Sequence, residues 1–173
     1  MDDNSRKTAL RMIPYGLHIM GVEGQDSRIT AGTLNCITHA SFKPPLVAVE
    51  VKTDSQIHDI TKLRRYFVLN VLGKGQQGAT YTIFKPAERC CQRFSAESFH
   101  SRSTDLPVQE KIPPFVEYRL LTTVEEEEHS TFIGEVVDAV SNQEPDGRAD
   151  DVTLLLKDLG EKTFYGRCID FIL

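Results

Sequence analysis

The fold is decided by the stretch Thr30-Ala-Gly-Thr-Leu-Asn-Cys-Ile-Thr-His-Ala-Ser-Phe-Lys-Pro-Pro-Leu-Val-Ala-Val-Glu-Val-Lys-Thr-Asp-Ser-Gln-Ile-His58. This pattern predicts a strand, a proline-locked turn, a second strand and a polar loop that leads into a short helix. Because consecutive prolines fix two φ angles and keep the preceding residue extended, residues 40–45 should form a rigid corner. Small and hydroxyl side chains gather where the backbone turns, so the stretch can hold a ligand.

The second strand and the helix each carry a periodic signal. Three valines at alternate positions share one face, which is the period of two that a half-buried strand needs: Val47, Val49 and Val51. Ser55 or Asp54 can cap the helix, because either side-chain oxygen can accept a hydrogen bond from a free backbone amide. We expect a helix of two to three turns whose apolar residues recur on one face: Ile57, Ile60 and Leu63.

Outside this stretch the pattern is mostly that of strands separated by turns. A helical turn over residues 8–13 should precede a hairpin made of residues 15–22 and 28–36. A helix is expected around residues 77–84, within a weakly patterned region that extends to residue 105. Further strands are predicted at residues 66–72, 115–124, 130–140, 152–158 and 167–173. Because strands and helices do not alternate, we expect a mainly β antiparallel barrel or sandwich.

Length and composition fit one globular domain spanning residues 1–173. Apolar residues make up 40% of the chain and charged residues 26%, which is the usual mix for such domains. The net charge of −5 has no basic block, so a nucleic-acid backbone would be repelled. No segment approaches the length of a membrane span, and Met1–Lys7 lacks the apolar core of an export signal. We expect no membrane partner and a cytoplasmic location.

The four cysteines match no zinc-binding pattern, because no pair of them is separated by two to four residues. We therefore expect no metal site and thiols rather than disulfides at all four positions: Cys36, Cys90, Cys91 and Cys168.

Two local signals each have an ordinary explanation when taken alone. The turn at residues 40–45 could be a structural corner. The loop Lys52-Thr-Asp-Ser-Gln-Ile-His58 gathers a cation, a hydroxyl, an amide and an imidazole around a helix start, where free amide hydrogens favour an anion such as phosphate. An N-cap at Ser55 explains most of that loop.

Taken in order, these signals resemble the flavin reductase-like family, the FMN-binding split barrels. In that family a small-residue strand precedes Ser-Phe-x-Pro-Pro-Leu-Val-Ala-Val and then a Lys-x-x-Ser-x-x-His/Thr loop. The resemblance continues through Phe67–Gly73, Phe84–Pro86, His129–Asp138 and Phe164–Gly166, and so covers nearly the whole chain from Arg11 onward. Ile13-Pro-Tyr-Gly-Leu and the Phe-Lys-Pro element are most similar to flavoredoxins and to the flavin reductase modules of diiron flavoproteins.

The resemblance implies an antiparallel Greek-key split β-barrel with a few short α-helices. It implies FMN as the cofactor, FAD or riboflavin as further flavin substrates, and NADH or NADPH as the electron donor. The flavin ring would lie against Thr33, Leu34, Asn35 and Cys36. The ring or ribityl chain would lie beside the corner residues Ser41, Phe42, Lys43 and Pro44. The phosphate would be held by Lys52, Ser55, Gln56 and His58. Phe84 and Lys85 would contribute near the flavin.

His129 is the catalytic residue that the resemblance implies on the nicotinamide side. It matches the histidine of a Gly-Asp-His that precedes the Phe-Ile-Gly-Glu strand in many flavin reductases. Glu127 and Glu128 precede it here, so the glycine is missing, and an exposed hairpin histidine is the alternative.

The expected activity is that of an NAD(P)H-dependent flavin oxidoreductase, which passes electrons through FMN to free flavin, a partner protein or a metal complex. The resemblance further implies a homodimer, with an oxygenase or another electron-acceptor protein as partner. A flavoredoxin-like electron carrier without direct NAD(P)H chemistry is the second interpretation. A β-barrel interaction module that has lost its flavin is the third.

Overall fold

The computed structural model describes residues 2–24, 29–83, 89–90, 93–94, 97–100, 108–109, 114–125, 127–141 and 147–160, and from residue 81 to residue 109 it describes the backbone alone. The helices are α1 (Asp3–Arg11), α2 (Gln56–Arg64) and α3 (Gln77–Ile83). The long strands are β1 (His18–Glu23), β2 (Ile29–Leu34), β3 (Ile37–Phe42), β4 (Pro45–Lys52), β5 (Tyr66–Val71), β10 (Phe115–Glu125) and β11 (His129–Val140). Four short strands form a separate small sheet: β6 (Arg89–Cys90), β7 (Arg93–Phe94), β8 (Glu97–His100) and β9 (Val108–Gln109).

The seven long strands form one antiparallel sheet in the order β2-β1-β5-β10-β11-β4-β3. If this sheet were flat, its two edge strands would stand about 29 Å apart, because neighbouring strands are spaced by about 4.8 Å. Yet Asn35 and Cys36 alone separate the edge strands β2 and β3 in the chain, and this connection reaches about 10 Å. The sheet is therefore rolled into a barrel.

The connection from β4 through α2 returns β5 to the side of β1, which is a Greek-key type of connection. The expected mainly β split-barrel class is confirmed, and so are the antiparallel β1–β2 hairpin and the central position of β5.

The barrel interior is filled by the side chains that alternate strand positions turn inward. The predicted valine face of β4 is confirmed, since all three valines are buried. Phe67 and Tyr118 stack across neighbouring strands, with ring centroids 5.1 Å apart. They fit because Gly134 has no side chain: a Cβ there would lie 2.7 Å from Phe67 Cζ. The aromatic pair thus fills the space beside the β11 backbone.

A second apolar cluster lies on the outer face of β1, where Leu17 and Ile19 pack against Leu154 and Leu156. The predicted strand at residues 152–158 is wrong, because 3₁₀ turns occupy 149–152 and 156–159. Between these turns the chain forms isolated bridges instead of a continuous ladder. Leu17 N donates to Leu154 O at 2.9 Å, and Leu154 N donates to Leu72 O at 2.8 Å.

The helices confirm some predicted boundaries and correct others. Ser55 caps α2, whose nine residues make the expected two to three turns, but Leu63 is 63% exposed. The buried face of α2 contains two polar side chains that the apolar pattern could not indicate: His58 and Thr61. The leading helical turn is longer than predicted, because Asp2 caps a helix that starts at Asp3.

Two predictions near the C-terminal end and one on the flavin contacts cannot be compared with the structure. Phe84 and Lys85, the element at residues 164–166 and the strand expected at residues 167–173 lie outside the described residues.

Candidate functional site

The first part of the candidate site is the strand junction, residues 33–36, where β2 crosses to β3. Thr33 and Leu34 are buried, whereas Asn35 and Cys36 are half-buried. Cys36 O accepts a hydrogen bond from Glu50 N at 3.0 Å, which fixes the crossing chain against β4. Among the described atoms, Thr33 Oγ1 is buried without a hydrogen-bond partner. The junction therefore offers half-buried polar side chains on a fixed backbone.

The second part is the corner between β3 and β4, where Ser41 is half-buried and the next three residues are exposed. Phe42 is 79% exposed and stacks on His39 with ring centroids 5.3 Å apart. The Lys43–Pro44 peptide bond is cis. The predicted corner thus projects from the barrel with an aromatic ring and a cation at its tip.

The third part is the helix-start loop, residues 52–56. Ser55 Oγ accepts from His58 N at 3.3 Å and donates to Lys52 O at 2.7 Å. Lys52 Nζ lies 3.2 Å from Asp54 Oδ2, and the Lys52 side chain is 14% exposed. Gln56 is exposed at the first helical position. Free amide hydrogens and one lysine therefore stand together at the start of α2.

The helix-start loop is tied to the turn before β11. Thr53 N donates to Glu128 O at 3.0 Å, and Thr53 Oγ1 lies 3.1 Å from the same oxygen. Lys52 and His129 are direct cross-strand partners in the β4–β11 pair. The residue expected at the phosphate and the residue expected at the nicotinamide are therefore neighbours on one sheet surface. His129 is half-buried there.

His58 is placed differently from its expected role. Its ring is buried, with Nε2 3.0 Å from Ser130 Oγ and Nδ1 3.2 Å from Asp59 Oδ1. The ring also stacks on Phe132, with centroids 5.4 Å apart. Both nitrogens have protein partners, so a phosphate contact from this ring would require one of these bonds to break.

A close backbone approach joins the strand junction to the helix-start loop. A Cβ at Gly32 would lie 2.9 Å from Ile57 Cδ1, so the first turn of α2 rests on β2 beside Thr33. The fold thus brings the strand junction, Lys52, Ser55 and His129 to one end of β4. The corner lies at the other end of β4, about 23 Å from Lys52 along the strand, so the structure does not bring the corner residues to the phosphate and nicotinamide residues.

Sequence reasoning missed Glu50 and Thr131, which face each other on the outer side of β4 and β11. Thr131 Oγ1 lies 2.8 Å and 3.0 Å from the two carboxylate oxygens of Glu50. Glu50 is linked to the junction by the hydrogen bond that its backbone N–H donates to Cys36 O. A carboxylate between apolar residues of β4 was the signal that could have indicated this pair.

Acidic groups surround the helix-start loop. Asp54 pairs with Lys52, Asp59 pairs with His58, and Glu127 and Glu128 are exposed on the adjoining turn. The hydrogen bond from Lys62 lowers the pKa of Glu125 below its ordinary value. A bound phosphate would therefore depend on close contacts to Lys52 and the helix amides rather than on a broad positive field.

The residues present suit a flavin. A flat ring needs a backbone with small side chains, which residues 30–36 supply, and a phosphate needs donors such as those at the start of α2. Within the described ranges, no group of three or more His, Cys, Asp or Glu side chains could hold a metal ion. In the same ranges, no helix is long and apolar enough to cross a bilayer.

Comparison with known proteins shows which family shares this architecture. The family model for the flavin reductase like domain matches residues 10–160. The high molecular weight rubredoxin of Moorella thermoacetica is 28% identical over 139 residues, which cover 76% of this chain and 58% of that protein. The chain thus spans less than two thirds of the length of that curated relative.

Solved structures share the fold. The styrene monooxygenase flavin reductase of Pseudomonas putida S12 is 22% identical with a TM-score of 0.69, over 81% of this chain and 88% of that chain. The NADH:FAD oxidoreductase of Streptomyces globisporus is 23% identical with a TM-score of 0.68, over 82% of this chain and 86% of that chain.

Proposed function

The chain belongs to the flavin reductase like domain family, and from this premise we propose that it is an NAD(P)H-dependent flavin oxidoreductase with FMN as its cofactor. A bound flavin supplies hydride acceptance and electron transfer. The electrons pass to free flavin, to a partner protein or to a metal complex. The NADH:FAD oxidoreductase among the similar structures supports the nicotinamide half of this proposal, and FAD is the alternative flavin.

The observation that carries the proposal is the cross-strand pair of Lys52 and His129. It puts the expected phosphate contact and the expected nicotinamide contact on adjacent strands, while Ile57 holds the same helix start against β2. Hydride transfer requires the nicotinamide to lie against the flavin ring, and the pair supports the proposal because it places the expected contacts of both cofactors on one sheet surface.

The chain's own residues have binding and orienting tasks in this proposal. Lys52 and the free amide hydrogens of the first turn of α2 hold the phosphate, and Ser55 joins them when its hydroxyl hydrogen turns from Lys52 O to the phosphate. Asn35 and the backbone of the strand junction present donors to the ring, where fixed donors stabilise the negative charge that develops on reduction. His129 orients the nicotinamide. No acid or base residue is required for hydride transfer itself.

We also propose a homodimer and an oxygenase or other electron-acceptor protein as partner. Apolar side chains on the outward faces of β10 and β11 support the dimer, since they are 40–50% exposed: Leu121, Val124 and Val137. Similarity in fold to the flavin reductase of a styrene monooxygenase supports an oxygenase as the partner. Light scattering on the purified protein tests the dimer, and a monomer would contradict it.

A flavoredoxin-like carrier that is reduced by another protein is the second candidate. Glu127 and Glu128 stand where many flavin reductases have Gly-Asp, and the carbonyl of Glu128 is engaged by Thr53. The relative named as a rubredoxin also favours this reading.

Anaerobic titration of the flavin-loaded protein separates these candidates. If NADH or NADPH bleaches the bound flavin, the protein is a reductase, and His129→Ala should slow the bleaching while flavin affinity stays the same. Lys157→Ala, an exposed change on a distant 3₁₀ turn, is the control. A flavin that only dithionite bleaches indicates the carrier. A protein that binds no flavin overturns both candidates.

A further inference from the structure

The ring of His58 has no task in the function proposed above, although it is one of the most constrained side chains at the site. It is 6% exposed and meets Asp59, Ser130 and Phe132. An ionised Asp59 can only accept, so Nδ1 carries the proton in that bond. In the neutral imidazole Nε2 then accepts from the Ser130 hydroxyl. The two bonds fix both the tautomer and the ring plane.

The order Asp59–His58–Ser130 is that of a hydrolase triad, but the surroundings exclude that role. Ser130 has no exposed surface. It pairs with Val51 on the strand face that points into the barrel, in line with Phe132. A substrate could not reach its hydroxyl, so the bond to His58 serves to hold α2 in place.

This bond joins two elements that both carry expected site residues. α2 begins directly after Ser55, and Ser130 directly follows His129 in β11. Pairing with β4 already fixes the β11 backbone. The loop before α2 is tied to the β11 turn by the Thr53 bonds to Glu128 O, but the first helical turn itself is attached by its cap, by Ile57 against Gly32 and by His58. Loss of the His58–Ser130 bond should therefore displace the helix start more than it displaces His129.

We propose that His58 is a positioning residue for flavin binding: its Nε2–Ser130 bond locks the first turn of α2 in the orientation that holds the flavin phosphate. This inference rests on the proposed function. In this role the His58 ring holds the phosphate-binding residues in place and does not contact the phosphate itself.

A matched pair of substitutions tests the lock. By bond count, Asn ends near the position of Nδ1 and Gln near the position of Nε2, so His58→Gln can keep the Ser130 bond and His58→Asn cannot. We expect His58→Asn and Ser130→Ala to raise KM for flavin, measured with FMN added as the sole flavin to flavin-free protein, about tenfold. The kcat at saturating FMN and KM for the nicotinamide should stay within about twofold. His58→Gln should stay within about threefold of the unchanged protein in all three constants.

Two readouts separate positioning from general loss of stability. Val68→Ala opens a cavity in a separate apolar cluster with Phe115, so it should lower Tm and leave KM for flavin unchanged. In NMR spectra, the imidazole N–H of His58 should exchange slowly with solvent in the Val68→Ala protein. It should exchange faster in the Ser130→Ala protein.

Equal effects of His58→Asn and His58→Gln on KM for flavin, or a fall in kcat of the same size as the rise in KM, would overturn the lock. If the unchanged protein binds flavin and is reduced, that result leaves the proposed function intact. If the unchanged protein binds no flavin, the proposed function itself fails, and the lock fails with it.

Discussion

Two histidines, one buried and one half-buried, stand at the two halves of the candidate site, and their rings are bonded differently. His58, behind the helix-start loop, has partners at both ring nitrogens. His18 pairs in register with Leu34 of the strand junction, and its Nδ1 makes no hydrogen bond of good geometry with any described atom, although the Gly16 backbone lies close enough to oppose the lowering of its pKa. Thr33 Oγ1 at the junction is buried without a partner among the described atoms.

This difference shows that the two halves are stabilised by different means. Side-chain hydrogen bonds fix the helix-start loop, whereas strand pairing and the backbone bond from Glu50 N to Cys36 O fix the strand junction and leave Thr33 Oγ1 and His18 Nδ1 without partners in the described part of the chain. Each such atom costs about 1 to 3 kcal/mol. The helix-start loop should therefore be sensitive to the loss of single polar groups, and the junction to pH and to changes in packing.

The largest effect is expected for loss of the phosphate donors. Lys52→Ala combined with Ser55→Ala should weaken flavin binding by about 1.5 to 3 kcal/mol for each charge-assisted bond removed. Fluorescence-quenching titration measures the affinity. Lys62→Ala is the matched control, because it removes a cation from the last turn of α2 instead of its start. Unchanged affinity in the double variant would place the phosphate elsewhere.

His18 should make stability depend on pH. Burial lowers its pKa from 6.5 to about 4. Above the ordinary pKa both folded and unfolded states are neutral. As the pH falls below it the unfolded state gains a proton that the folded state lacks, so the free energy of unfolding should fall by about 1.4 kcal/mol per pH unit until near pH 4.

Urea denaturation of the unchanged protein and of His18→Gln, each at about pH 7 and about pH 5, measures this contribution. The His18→Gln protein should lose less stability on acidification. Equal losses in the two proteins would show that His18 titrates normally in the fold.

Alanine substitutions at two glycines compare how tightly side chains pack in the barrel interior and at the candidate site. An added methyl at Gly134 meets Phe67 Cζ at 2.7 Å and Tyr118 Cβ at 3.2 Å, so Gly134→Ala should destabilise by about 1 to 3 kcal/mol. At Gly32 the obstacle is the end of the Ile57 side chain, which can rotate. Gly32→Ala should cost less in chemical denaturation but shift α2 and weaken flavin binding. The reverse order of stabilities would contradict this.

The smallest effect is expected at Thr61, which is fully buried on α2 with no described partner for Oγ1. Thr61→Val keeps the shape and removes the unpaired hydroxyl, so stability should stay within about 1 kcal/mol or rise. Flavin affinity should not change. A loss of several kcal/mol in denaturation would reveal a bond to this hydroxyl.

The features that could be predicted from the sequence depend on residues that lie close together in the chain. The Ser55 cap, the β4 valine face and the β1–β2 hairpin depend on neighbouring residues, so their patterns were readable. The strand junction and the helix-start loop were identified from a family resemblance, and the fold brings them together.

Features that depend on distant partners could not be read in the same way. Ser130 lies 72 positions from His58, and nothing in either local pattern indicates their bond. Residues 152–158 have a strand-like pattern, but they bridge Leu17 and Leu72 instead of forming a ladder. Periodicity likewise placed Leu63 on the buried face of α2, where the barrel surface instead accepts Thr61.

The central claim is that the bound flavin takes electrons directly from a nicotinamide. Anaerobic stopped-flow mixing of the flavin-loaded protein with NADH, and separately with NADPH, tests it through the visible absorbance of the oxidised flavin. We predict bleaching by at least one of the two, at a rate that saturates with nicotinamide concentration and falls in His129→Ala. An absorbance that persists with both nucleotides and disappears with dithionite would contradict the claim.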